Sequence, residues 1–274
     1  MPGIGDLHGQ GLRARGLQQQ GLHLGQDGLA RPRSNDQIIG ALGDIHGAFD
    51  AARTIVARHP EVPFWLCVGD IASDDGRYEA MGAPIYWIHG NNDNFDAIAS
   101  GNLPADLHHI ANGTAVDVGP VRVAGLGGTF APTWYETSAA QLPHPTLRQA
   151  QGRPEHGRGT KKGSAKATAL ADKRRHFVCE EVEACKRLRG IDVFMTHEAA
   201  KPFRPFPGGR GPDAGKAQVN EVLAEMKPRL HLFGHHHRFS DEIREGVRSV
   251  GLDLVSRSYL LIESRTLEIH TVKY

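Results

Sequence analysis

The chain has little cysteine, no long apolar run and almost no net charge, and each shortage removes a class of protein. Cys67, Cys179 and Cys185 are odd in number and form no CxxC pair, which argues against a disulfide scaffold and for packing residues in a reducing compartment. No stretch approaches the roughly 18 consecutive apolar residues of a membrane span, and the N-terminus lacks the charged-then-apolar pattern of an export signal. A cytoplasmic protein with no membrane partner is therefore expected. A formal charge of +1 leaves no global field for nucleic acid or an anionic surface. What the chain has in plenty is histidine, 16 residues of it, and its 39% hydrophobic content is adequate for the core of one large domain or two small ones.

Residues 1–36 read as a disordered tail, with Gly-Leu pairs at 11, 16 and 21 and too few apolar side chains to offset the entropy of ordering. From Gln37 onward the chain becomes a series of apolar runs that each end in a polar cluster. Ile38 to Leu42 leads into Gly43-Asp44-Ile45-His46-Gly47. Asp44 and His46 stand at i and i+2, a spacing that turns two side chains to one side of an extended segment. The tail carries the same pattern at Gly5-Asp6-Leu7-His8-Gly9, but no strand precedes it to hold Asp6 and His8, so it is read as coincidence.

Helical spacing of Phe49, Ala52, Ile55 and Val56 predicts a helix over Ala48 to His59. Pro63 to Val68 then ends in Gly69-Asp70, and Pro84 to Ile88 in His89-Gly90-Asn91-Asn92-Asp93, with a helix expected from Phe95. Thr114 to Val118 and Val121 to Ala124 flank Gly119-Pro120 as a hairpin. Residues 137–170 break the pattern. They carry three prolines, six Lys or Arg and one acid, Glu155, and read as a flexible insertion or, with Lys173, Arg174 and Arg175, as a basic arm for polyphosphate or nucleic acid.

A helix is expected where Val178, Val182, Cys185 and Leu188 share a face, then a strand, Ile191 to Met195, ending in Thr196-His197-Glu198. Lys216 to Met226 reads as a further helix. Arg229 to Phe233 ends in Gly234-His235-His236-His237, and a strand-rich closing half includes Ser258 to Glu263 and Leu267 to Val272. Where strands alternate with helices, ligands bind beyond the carboxyl ends of the strands. Five such ends here offer carboxylate, amide oxygen and imidazole, a donor set that suits Mn, Fe or Zn and is large enough for two ions.

In this order the clusters resemble the signature of the calcineurin-like metallophosphoesterase superfamily: GDxHG, GD, GNH[DE], a GH or TH, and GHxH. The resemblance covers Gln37 to the C-terminus apart from the insertion. It implies an α/β fold, a sandwich of two mixed β-sheets flanked by helices in four αββα layers. It places Asp44, His46, Asp70 and His237 on one divalent metal and Asp70, Asn91, His197 and His235 on the other, with Asp70 bridging. Manganese is the first expectation, with Fe, Zn or Ni as the other candidates. The implied reaction is hydrolysis of a phosphoester by a metal-activated hydroxide.

Asn92 stands where the family carries a histidine usually assigned to protonating the leaving group. An amide donates a hydrogen bond but transfers no proton near neutral pH. Asp93, which orients that histidine in the family, is free to cap the helix from Phe95. Proton delivery then falls to His236, to a water, or to no group at all where the leaving group is acidic enough, and Asp70, Asn91 and His236 are the catalytic candidates. The segment GDIASDDGR puts Arg77 out of register with the arginine of phosphoprotein phosphatases. Together with the missing histidine and the basic insertion, this leans toward a phosphodiester, including a nucleotide or nucleic acid. Lys201, Arg204 and Arg210 are further phosphate-binding candidates. Two other readings stand beside the enzyme: a fold that has lost its chemistry and serves as a scaffold, and a nucleic-acid-binding protein stapled by metal.

Overall fold

A computed structural model describes residues 37–144, 172–206 and 211–274. The expectations for the tail, for residues 145–170 of the insertion and for Arg210 lie outside the described residues. The opening of the insertion lies inside them: Ala139–Gln141 forms a 3-10 turn, and the Ala139 N–H donates to Glu180.

The apolar runs become strands because alternate residues find a buried face on each side. β1 (Ile38–Leu42), β2 (Trp65–Cys67), β3 (Ile85–Trp87) and β4 (Leu107–His109) run parallel, and β11 (Ser258–Glu263) and β12 (Ile269–Lys273) extend that sheet antiparallel beside β1. Its order is β12-β11-β1-β2-β3-β4. The second sheet has the order β5-β6-β7-β8-β10-β9, built from β5 (Ala115–Val118), β6 (Val121–Leu126), β7 (Val193–Thr196), β8 (Leu230–Phe233), β9 (Ser240–Arg244) and β10 (Val247–Gly251). β6, β7, β8 and β10 are mutually parallel and both edges are antiparallel. Two mixed sheets of six strands match the expected architecture.

The period-two alternation sorts side chains into layers. Ile39, Ala41, Leu66, Val68 and Ile88 from the first sheet meet Val123, Val193, Met195, Leu230 and Leu232 from the second in one inter-sheet core. The opposite face of the first sheet, with Leu42, Trp65, Cys67 and Trp87, packs on α1 (Phe49–Arg58) through Phe49, Ala52, Ile55 and Val56. On the far face of the second sheet, Ala124, Leu126 and Phe194 meet Val182 and Cys185 of α3 (Cys179–Arg187) and Val219, Val222, Leu223 and Met226 of α4 (Ala217–Met226). At about 25 cal/mol per Å² of apolar surface removed from water, this double burial of each sheet is the main drive to fold. Among the described residues, no helix is long and apolar enough to cross a membrane.

One local expectation is corrected. The short helix α2 (Phe95–Ser100) is capped by Asn94, whose side chain accepts from the Ala97 N–H at 3.1 Å. Asp93 turns inward instead, because four loop N–H groups converge there on an acceptor.

Candidate metal centre

The parallel strands end on one side, and their following loops carry the clusters. Asp93 organises the first-sheet half. Its carboxylate accepts from the backbone N–H groups of Asp70, Ile71 and Ala72, each at 3.0 Å, and of Gly90 at 2.7 Å. The loop after β2 is thereby tied to the loop after β3. Close approach makes glycine necessary at two joins. A Cβ on Gly90 would lie 2.0 Å from Asp70 Oδ1, and one on Gly234 would lie 2.3 Å from Asp44 Oδ1.

Asp44 and Asp70 are almost fully buried and face imidazoles. His237 Nε2 lies 3.0 Å from Asp44 Oδ2, and His46 Nε2 lies 3.1 Å from His237 Nε2. Asp70 Oδ2 stands between two rings, 3.6 Å from His46 Nε2 and 3.5 Å from His197 Nε2. His197 Nδ1 lies 2.9 Å from the Val68 carbonyl oxygen. A proton on Nδ1 then donates to that carbonyl and leaves the Nε2 lone pair toward the carboxylates. Asn91 Oδ1 is 3.1 Å from the same Nε2. His235 donates its backbone N–H to Asp44, at 3.0 Å to Oδ2, and its ring centroid is 4.9 Å from that of His197.

Two groups hold ligand atoms that all lie within 4.8 Å of one another: Asp44, His46 and His237, and Asp44, Asp70 and His197. Asp44 belongs to both, although the resemblance casts Asp70 alone as the bridge. Asn91 and His235 border the second group through the contacts above.

The electrostatics fit a cation. Burial alone would suppress charge on His197, yet the negative field of Asp70 and Asp44 drives its pKa up to about 10. Burial likewise opposes ionisation of Asp70, and the positive charge and hydrogen bond of His197 do most to overcome it, holding this carboxyl well below the usual range. Two buried carboxylates that draw a proton onto an inaccessible imidazole would draw a divalent ion in its place.

The backbone carries strain at the same spots. Seven non-glycine residues among those described have positive φ, and four of them are Asp70 (50°), His46 (46°), His235 (67°) and His237 (48°). Such conformations cost of order 1 kcal/mol or more each and persist where the surroundings over-determine them.

His236 faces a different way. Its ring packs on Phe203 at 4.7 Å between centroids, and its Nε2 lies 3.7 Å from Glu198 Oε2. Among the described residues neither atom has a hydrogen-bond partner, and burial pushes the imidazole down to about 4. Asn92 donates from Nδ2 to Asp70 Oδ2 and from its backbone N to Asp70 Oδ1, both at 2.7 Å. Arg77 pairs with Asp75 at the surface, Lys201 is exposed, and the Arg204 carbonyl accepts from Arg238. Sequence reasoning gave no role to Glu198, although its adjacency to His197 in Thr196-His197-Glu198 was a usable signal, and it put Asp93 on the wrong partner.

A sandwich of two mixed sheets flanked by helices, with carboxylates and imidazoles gathered beyond parallel strand ends, defines an α/β protein with a candidate metal centre. The chain belongs to the calcineurin-like phosphoesterase family, whose pattern matches residues 38–239; members typically bind divalent metals. Among solved structures, TT1561 of Thermus thermophilus is 15% identical, covers 86% of this chain and 98% of its own, and superposes with a TM-score of 0.56. A second structure, 12% identical, covers 87% of this chain and 99% of its own with a TM-score of 0.59. At these identities the likeness is one of fold. No curated protein matches the chain by sequence.

Proposed function

We propose that this protein hydrolyses phosphoesters with two divalent metal ions and that its preferred substrates are phosphodiesters, nucleotides and nucleic acids among them. The observation that carries the reading is Asp70 Oδ2, held almost midway between His46 and His197. Asp44, His46, Asp70 and His237 would hold one ion, and Asp70, Asn91, His197 and His235 the other. Manganese is the first candidate, ahead of Fe, Zn and Ni. Ions bound there supply charge neutralisation at the phosphoryl oxygens and a nucleophilic water at neutral pH.

The protein does the rest. The Val68 backbone carbonyl fixes the His197 tautomer, Asp93 fixes the loops that carry Asp70 and Asn91, and Asn91 orients the reacting group. The Asn92 amide, engaged with Asp70, supplies no proton to a leaving group. That role passes to solvent, or to His236 where the negative charge of a bound phosphoester lifts its pKa from the value burial sets, and it matters less as the leaving group becomes more acidic. The preference for diesters rests on this substitution and on the surface pairing of Arg77. Three free thiols suit a cytoplasmic location.

The test is metal content followed by initial rates on bis-p-nitrophenyl phosphate and p-nitrophenyl phosphate with added manganese. Bound metal with faster diester turnover is expected. Absence of metal and of both activities would refute the reading, and faster monoester turnover would reverse the substrate preference alone. His236→Ala should slow an alkyl phosphodiester more than the nitrophenyl ester; equal slowing would remove His236 from the proton transfer.

A further inference from the structure

Lys173, Arg174 and Arg175 are consecutive in sequence, yet the structure separates the two arginines. Arg174 is fully engaged. Its guanidinium bonds Asp172 through Nε at 3.0 Å, Asp96 at 2.8 Å and the Phe95 carbonyl at 3.3 Å, and it lies over the Phe95 ring. The capping contact from Asp172 to the Arg174 N–H holds the turn itself.

Among the described residues, Arg175 is engaged through its backbone. Its carbonyl accepts from the Thr129 N–H at 2.9 Å, and residues 129 and 176 form a parallel bridge. Gly128, one residue earlier, donates its N–H to the His89 carbonyl at 2.8 Å. His89 opens the Gly90-Asn91-Asn92-Asp93 loop of the metal centre. The chain at Arg175 is thus strapped, through Gly128 and Thr129, to the strand end that supplies Asn91. Its guanidinium, by contrast, has a buried Nε with no hydrogen-bond partner, and no described carboxylate forms an ion pair with it. Burial lowers its pKa, and the carboxylates whose charge reaches it are Asp70 and Asp172. Asp172 is already taken by Arg174.

A half-buried guanidinium without an anion is costly, and its planar fork suits a phosphoryl group. The geometry points to Arg175 as a substrate-binding residue that receives a non-bridging phosphoryl oxygen at the metal centre, a role that rests on the phosphoesterase reading above.

The full chain, loaded with manganese, tests this by calorimetric titration with inorganic phosphate alongside KM and kcat for bis-p-nitrophenyl phosphate. Arg175→Met keeps the aliphatic stem and removes the fork. It should weaken phosphate binding about 10- to 100-fold, the range for a lost charge-assisted contact, and raise KM with metal content unchanged. Arg175→Lys should fall between, guanidine should restore part of the loss, and Arg174→Met should leave phosphate affinity at the wild-type level. Phosphate affinity and KM within twofold of wild type in Arg175→Met would overturn the inference, as would a wild-type protein that takes up no phosphate. A wild-type protein that hydrolyses neither ester, but whose phosphate binding still falls in Arg175→Met, would sink the phosphoesterase reading and leave the anion site standing.

Discussion

The two sheets bring different chemistry to the same mouth. Beyond β1, β2 and β3 stand Asp44, Asp70, Asn91 and Asp93, so the first sheet supplies mainly oxygen, with His46 the imidazole it brings to a ligand group. Beyond β7 and β8 stand His197, His235 and His237, so the second supplies nitrogen. Neither half forms a ligand group alone, since both groups mix residues from the two sheets. The halves are locked across the core by backbone contacts: the His235 N–H donates to Asp44, and the Val68 carbonyl holds His197. The centre is therefore a product of sheet packing, and whatever disturbs that packing should disturb metal binding before it unfolds either layer.

The strongest way to break the comparison is to remove the oxygen shared between the rings. Asp70→Asn should abolish detectable metal-dependent hydrolysis, a fall of about a thousandfold on the scale of losing a central electrostatic group, and should lower bound metal by elemental analysis. A variant with full metal and near wild-type rate would show that Asp44, the member of both groups, is the true bridge. Next comes the organiser of the oxygen half. Asp93→Ala strands backbone donors that are buried with it, and at about 1 to 3 kcal/mol for each unsatisfied group urea denaturation should register several kcal/mol. Metal affinity should fall about 10- to 100-fold as well, the usual effect of losing a supporting contact. Loss of stability with metal affinity intact would separate Asp93 from the site.

The joins between halves can be probed by one methyl group. Gly234→Ala places a Cβ against Asp44, whereas Gly82→Ala meets nothing within 4 Å and carries only the backbone strain of its positive φ, 88°. The pair thus separates crowding at the site from strain away from it. Gly234→Ala should lower metal affinity well beyond the control, and equal effects in the two variants would show that the approach is not tight.

The nitrogen half should also respond to acid in its own way. His231, buried between Thr196 at 2.8 Å and Ser249 at 2.8 Å, is pushed by burial down to about 3. Its folded value lies below the unfolded one of about 6.5, so the unfolded chain takes the proton first. The stability it contributes is complete above about pH 6.5 and declines by up to about 1.4 kcal/mol per pH unit as pH falls toward 3. Unfolding free energy measured from pH 7 to 4 should have a shallower slope in His231→Phe than in wild type; parallel slopes would show that His231 does not titrate on unfolding.

Much of this centre is legible from the chain because its parts sit at strand ends and carry distinctive residue types. Gly43-Asp44-Ile45-His46 follows β1, and Gly234-His235-His236-His237 follows β8, as their apolar runs predict. Strand Ser258–Glu263 falls where alternation places it. What escaped reading depends on tertiary partners. Asp93 and Asn94 are both good caps for α2, and only the cluster of loop N–H groups beneath the first decides between them. Leu107–His109 is too short for its alternation to register, and it becomes a strand because β3 offers it an edge. Arg174 and Arg175 look alike in a basic run, and the difference between a paired and an unpaired guanidinium exists only once Asp96 and Asp172 have been folded to one side.

The left-handed backbone at His46, Asp70, His235 and His237 limits which amino acids these positions tolerate. Among residues with side chains, that conformation is entered most readily by Asn, Asp and His, and these are also donors to hard and borderline metal ions. The backbone thus filters substitutions before the metal does. In a saturation library, Cys or Glu at these four positions should be depleted despite being able ligands, and exchanges within Asp, Asn and His should survive folding most often.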